Sequence, residues 1–222
     1  MSIIRSHLHR TRLLPDTWAQ AVELVLRGSE TSALSLQRTL GLGSYRTAWR
    51  MAGIIREALR AVEWPLLVGE VEVCDVSFAS GPRARKSLWF ACERRGAGGG
   101  LIRGWLGGRD VAADFGRIVR GLDSSATLVT PPSGVFRELK NLGFRQRCEP
   151  LGDAGALPAA TAAAAAFTAM LKARRHHGVA AASIELYLGE FIFRHNAKTL
   201  GWSLAEQRRR VMARLRAPRS SA

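Results

Sequence analysis

Arg46, Thr47 and Arg50 stand within five residues of one another, just behind a serine, Ser44, that can open a helix. At the start of a helix such a set does one kind of chemistry well. Guanidinium groups fork onto phosphate oxygens and guanine edges, and a hydroxyl adds a short-range donor or acceptor. Arg174, Arg175, Arg194 and the run Arg208, Arg209 and Arg210 supply further cations suited to phosphates. Other chemistry is thinner. His176-His177 could ligate a metal, but no Asp, Glu or Cys stands nearby at helical spacing, and a surface pair in a basic loop accounts for them more simply. The glycine-rich segment from Arg94 to Gly100 lacks the last glycine of GxGxxG and opens no helix, so it reads as a hairpin turn. No GxSxG elbow, P-loop or HExxH occurs. Cys74, Cys92 and Cys148 are odd in number and far apart, making neither a CxxC zinc pair nor a disulfide framework. Cys74 and Cys92 are expected as buried, inert thiols on adjacent strands.

The elements that must position these groups fall into two patterns. Up to residue 62 the apolar residues recur at helical spacing. A helix is expected from Trp18 to Arg27, ended by Gly28, and a short one carries Leu34, Leu36 and Leu40. After Gly41 to Gly43, Ser44 caps a longer helix to about Arg60, whose Tyr45, Ala48, Trp49, Ala52, Ile55 and Leu59 read as one buried stripe. Two helices joined by a tight Gly-bearing turn have helix-turn-helix geometry, and the first residues of the second helix then face base edges. A plain three-helix bundle explains the same stripe.

From Val68 the period shortens to two. Strands are expected near 70–76, 87–92 and 101–106, then a helix over 111–121, a strand at Thr127 to Val129 stopped by Pro131-Pro132, a helix over 135–142 and a strand over 144–148. Three consecutive strands followed by helix, strand, helix, strand give an α/β (α+β mixed) sheet with flanking helices, the order of the ribonuclease-H-like fold. Residues 150–160 read as loop, 161–172 and 183–198 as helices, and the arginine-rich end as a tail that is helical at first. The expected domains are therefore a helical module over 1–62, a sheet domain over 68–200 and a basic C-terminal tail over 201–222.

Charge follows the same division. The 222 residues carry 33 Lys and Arg against 18 Asp and Glu, a net +15. Residues 1–62 hold 9 basic and 4 acidic residues, 63–171 hold 13 and 11, and 172–222 hold 11 and 3. The near-neutral middle reads as core and the flanks as the source of a positive field, which suits a polyanionic partner. Solvated arginine-rich faces would give the same counts. With 47% hydrophobic residues the chain is a folded domain rather than a basic disordered tail. No apolar stretch reaches spanning length, and the first fifteen residues have arginines and histidines where a secretory signal needs its apolar centre. The expectation is a cytoplasmic, nucleoid-associated protein with no membrane partner.

Three segments in order, Leu34 to Met51, Gly69 to Phe78 and Leu186 to Asn196, resemble the DDE-type insertion-sequence transposases that carry a zinc ribbon, a helix-turn-helix and a ribonuclease-H-like catalytic domain. The resemblance spans roughly residues 11–198. It implies DNA transposition, with two divalent metals held by carboxylates stabilising charge on the entering and leaving phosphodiester oxygens. The sequence departs from the family at each acidic position. Cys74 stands where the first aspartate belongs, Pro131 where the second does, and Ala165 where the third does. Residue 1 falls roughly where the ribbon would end. Proline and alanine offer no ligand, and a thiolate is too soft a donor for Mg²⁺. The candidate substitutes are Glu72, on the same strand face as Cys74, and Asp153, whereas Asp75 should point to the other face.

The resulting expectation is a DNA-binding protein of transposase type without strand-transfer activity. Its partner would be double-stranded DNA, held by Arg46, Thr47 and Arg50 in the groove and by Arg174, Arg175, Arg194 and Arg208 to Arg210 on phosphates. No metal or other cofactor is expected, with Mg²⁺ or Mn²⁺ in play if the site has been rebuilt, and self-association is left open. The alternatives are an active enzyme with relocated carboxylates, a regulator using the helix-turn-helix alone, and the product of a decayed gene.

Overall fold

A computed structural model describes residues 13–28, 31–81, 84–95, 99–107, 111–151, 157–173 and 183–217. The chain divides into two compact units, one formed by residues 1–63 with 200–222 and the other by residues 64–199.

The first unit is helical. Helix α1 (Pro15–Arg27) begins with proline, whose missing N–H costs nothing in a first turn, and it buries Trp18, Ala21, Val22, Val25 and Leu26. Helix α2 (Ala33–Thr39) is capped by Ser32, whose hydroxyl accepts from Ser35 N at 3.0 Å. It ends at Gly41, which takes φ +61° while Leu42 N reaches back to Gln37 O at 3.0 Å. That closing bond needs a left-handed residue, which glycine supplies without a Cβ clash. Helix α3 (Tyr45–Arg60) follows at once, its N-cap Ser44 accepting from Thr47 N at 3.1 Å.

Its buried arc consists of Ala48, Met51, Ala52, Ile55, Arg56, Ala58 and Leu59. The expected stripe is corrected at two positions, because Tyr45 and Trp49 are 53% and 62% exposed. Period fixes the spacing of a stripe but not which of two overlapping arcs meets the neighbour. Here the covered arc extends to Met51 and Ala58, on the flank of the stripe away from the two rings. Residues 204–216 form a packed helix. Helix α8 (Leu204–Arg216), capped by Ser203, buries Val211, Met212 and Leu215 and packs on α1 and α3.

The second unit is a mixed α/β structure around five strands: β1 (Glu70–Gly81), β2 (Ala84–Glu93), β3 (Ile102–Leu106), β4 (Thr127–Thr130) and β5 (Arg145–Cys148). Their order across the sheet is β3-β2-β1-β4-β5. Strands β1, β2 and β3 form antiparallel neighbours, while β4 runs parallel to β1 and β5 parallel to β4. Helix α4 (Val111–Val119) joins β3 to β4. A 3₁₀ turn (Gly134–Phe136) and helix α5 (Arg137–Asn141) join β4 to β5. Trp89 of β2, opposite Asp75 of β1, meets the rings of Phe115 and Phe136 at 6.0 and 5.7 Å. On the other face, α6 (Pro158–Ala173) packs on β1 and β2. It opens three residues earlier than the alanine run suggests, at a proline placed where a helix accepts one.

Helix α7 (Ile184–Thr199) fastens the edge strand β3. Asn196, fully buried, accepts from Ile102 N and donates to Ile102 O, both at 2.9 Å. Six residues earlier Glu190, 1% exposed, is neutralised by Arg194 at 3.0 Å, and His195, next to Asn196, bonds Gly100 O at 2.9 Å.

Candidate functional site

Two places in the chain bring together the groups named by the sequence. The first lies in the sheet unit, around β1. Cys74 is fully buried. Burial pushes its thiol up to about 11, a backbone hydrogen bond at Leu157 opposing the rise and the charges of Asp75 and Glu72 adding to it. A thiol so placed is neutral at pH 7 and is no ligand for a hard cation. Cys92, also buried, is raised by the same cause, and both thiols are free, as the sequence led one to expect. Pro131, directly after β4, is buried, and Ala165 on α6 faces solvent beside its buried neighbours Ala163 and Ala164. Asp75 is exposed and accepts from Ser87 Oγ at 2.9 Å, on the face opposite Cys74 as alternation requires. Asp153, Arg174, Arg175 and His176-His177 lie outside the described residues.

Glu72 is the one substitute carboxylate within view, and every oxygen it has is occupied. Its side chain is 2% exposed. Oε1 accepts from Arg94 Nε at 2.7 Å, and Oε2 accepts from Ala159 N and Ala160 N at 2.7 and 3.2 Å. Glu72 thus satisfies two of the orphan N–H groups that open α6, with its charge at the positive end of that helix. Arg94 continues as a fork onto Glu149, at 2.9 and 2.6 Å. Arg147 bridges Glu149 at 2.8 Å to Glu70, itself held at 2.8 and 2.9 Å. Three carboxylates and two guanidiniums therefore form one chain. The Arg94 fork, with Arg147 behind it, holds the Glu149 carboxyl down at about 2.

Sequence reading missed Glu149, Arg94 and Arg147. Arg94 reaches Glu72 and Glu149 across 22 and 55 residues and Arg147 reaches Glu70 across 77, with only Arg147–Glu149 local. The available signal was the matched alternation of Glu70 and Glu72 on β1 with Arg147 and Glu149 on and after β5. Among the described residues no group of three or more His, Cys, Asp or Glu could hold a metal ion. Among the described residues the donors on the Cys74 face do not fit two hard cations, since Glu72 is already bonded to Arg94 and to the start of α6.

The second place is the start of α3. Arg46 and Arg50 are exposed one turn apart, and neither has an ion-pair or hydrogen-bond partner among the described residues. Thr47 is half-buried, and its hydroxyl is 2.9 Å from Ser44 Oγ, so it serves the cap first. No acidic residue lies in the first three turns, the nearest on this helix being Glu57. Arg38, in the last turn of α2, is exposed and likewise unpaired among the described residues.

The other arginines named by the sequence are engaged. Arg194 neutralises buried Glu190, so its first duty is inside the fold. Arg208 reaches Glu23 at 3.4 Å, and Arg209 and Arg210 share Glu206. The guanidinium carbon of Arg210 also lies 4.0 Å from the centroid of the Trp202 ring. These last three pairs are solvent-exposed and contribute only about 0–1 kcal/mol each. They can open to a phosphate, at a cost that Arg46 and Arg50 do not bear. Among the described residues no helix is long and apolar enough to cross a membrane. No protein-family model and no curated protein matches the sequence.

Proposed function

We propose that this protein binds double-stranded DNA through the start of α3 and that its sheet domain is a ribonuclease-H-like scaffold no longer able to hold catalytic metals. The observation that carries the binding reading is the pair Arg46 and Arg50, unpaired cations at the head of a capped helix that follows a tight glycine turn. That placement suits a recognition helix in the major groove, with the helix-turn-helix formed by α2 and α3. The net charge of +15 supplies the long-range attraction.

The scaffold reading rests on the strand order β3-β2-β1-β4-β5, antiparallel over the first three strands and parallel over β1, β4 and β5, with α6 against β1. This order and these strand directions are compatible with a ribonuclease-H-like sheet, and they support the transposase resemblance. The silent-site reading rests on the neutral thiol at Cys74, the ligandless Pro131 and Ala165, and the full engagement of Glu72.

Fluorescence anisotropy on labelled duplex DNA over a range of salt tests the binding. The full chain should show a log–log slope near about −5, as expected for roughly six neutralised phosphates. The double variant Arg46→Ala/Arg50→Ala should flatten that slope by about 2 and weaken binding on every sequence. Arg209→Ala should change affinity less than either single substitution. Affinity that hardly moves with salt, or a double variant that binds like the parent, overturns the reading.

A further inference from the structure

Trp49 and Tyr45 are among the most exposed large apolar residues of the described structure, at 62% and 53%. They stand four residues apart on α3 and so form one column along the helix, as Arg46 and Arg50 form the next. An aromatic column beside a basic column therefore runs over the first turns of α3. We propose that this pair of columns is a stacking platform for unpaired bases, so that the protein prefers DNA containing a locally opened segment to fully paired duplex. The inference rests on the DNA-binding reading and names the form of DNA that this helix takes.

The chemistry of the surface chooses the occupant. An indole exposed to this degree leaves a wide apolar π-face in water, and burying it is the main energy the surface has to offer. Paired bases present only their edges in the grooves, because their faces are stacked on one another. An unpaired base presents its face, and stacking on an aromatic side chain accepts any base. Arg46 and Arg50, one residue further round the helix, are placed to take the phosphates that flank such a base. A second copy of this chain is a poor occupant. A two-fold contact of α3 on α3 would bring the same unpaired arginines together without an acidic residue in the first three turns to answer them.

The test compares three probes with the full chain: a fully paired duplex, the same duplex with a central bubble of mismatched thymines, and an oligothymidine strand. The parent protein should bind the bubble at least tenfold more tightly than the paired duplex. Trp49→Ala should lower bubble affinity by about 5- to 150-fold, the equivalent of roughly 1–3 kcal/mol per stacked base, and collapse the preference. Tyr45→Ala should act in the same direction, and Trp49→Phe should keep most of the preference. Trp49 fluorescence should be quenched by oligothymidine, a signal absent from Trp49→Ala. Salt-dependent binding with equal affinity for bubble and paired duplex overturns this inference and leaves the binding reading standing. Absence of binding to all three probes overturns both. Light scattering that shows an oligomer dissolved by Trp49→Ala assigns the column to protein contact and overturns the base-stacking role.

Discussion

Glu72→Gln separates a structural carboxylate from a catalytic one. In the folded chain Glu72 is 2% exposed and accepts three hydrogen bonds, one from Arg94 and two from the opening N–H groups of α6. Glutamine keeps the volume and one acceptor oxygen, which can still serve the helix start. Its amide nitrogen then faces Arg94 Nε, donor against donor, and the charge opposite the helix is gone. Hydrogen bonds to charged groups are worth about 1.5–3 kcal/mol, and the helix-end interaction about 0.3–1 kcal/mol. Arg94 is 25% exposed and retains its fork to Glu149, which softens the loss. The net expectation is about 2 kcal/mol of destabilisation for glutamine. For alanine it is about 4 kcal/mol, since the second acceptor and the packing go as well.

The assay is urea unfolding followed by tryptophan fluorescence, which Trp64, Trp89 and Trp105 report from the sheet unit. With a slope of about 2 kcal/mol per molar urea, Glu72→Gln should lower the midpoint by about 1 M. Catalytic carboxylates behave in the opposite way, because a site kept for chemistry is held at some cost to the fold. A glutamine variant as stable as the parent, or more so, would refute the capping argument and return Glu72 to the list of metal ligands.

Acid and thiol chemistry give two further expectations. Glu149 is held at about 2 in the folded chain against an ordinary value of 4.5, so its contribution to stability is complete above pH 4.5 and is lost as pH falls towards 2. Urea midpoints for Glu149→Gln should therefore show a shallower fall than the parent across pH 4.5 to 2.5, and parallel curves would contradict the arginine fork. At pH 8 the native protein should release about one equivalent with a thiol reagent, from exposed Cys148, and about three after unfolding. Fast reaction of all three in the native state would contradict the burial of Cys74 and Cys92.

Much of the sheet was legible from local pattern. Alternation located β1, and the change of period at Val68 falls within five residues of the boundary between the two units. Helix α3 was legible in length and cap, yet its solvent face was not. Tyr45 and Trp49 fit a helical period as well as Met51 and Ala58 do, and only the neighbours decide which arc is covered. The long-range ion pairs were beyond reach for a related reason. Glu72 and Arg94 can be placed on β1 and just after β2 from sequence, but Glu149 joins them only once β5 lies parallel to β4. Arg194 shows a different gap between pattern and structure. Its charge suggested a phosphate contact, and the buried glutamate four residues before it was the better guide, since a carboxylate inside a helix–sheet contact must find a cation.

The amide of Asn196 occupies the peptide group of Ile102 much as an additional strand would. A sheet with a bare flank invites a second molecule to extend it, which is the first step towards fibrous self-association. On this side one rung is taken by a residue that belongs to the chain itself and comes from α7, 94 positions away. An incoming strand would have to evict that amide before it could zip along β3. The distant end of a helix thus acts as a guard against uncontrolled polymerisation.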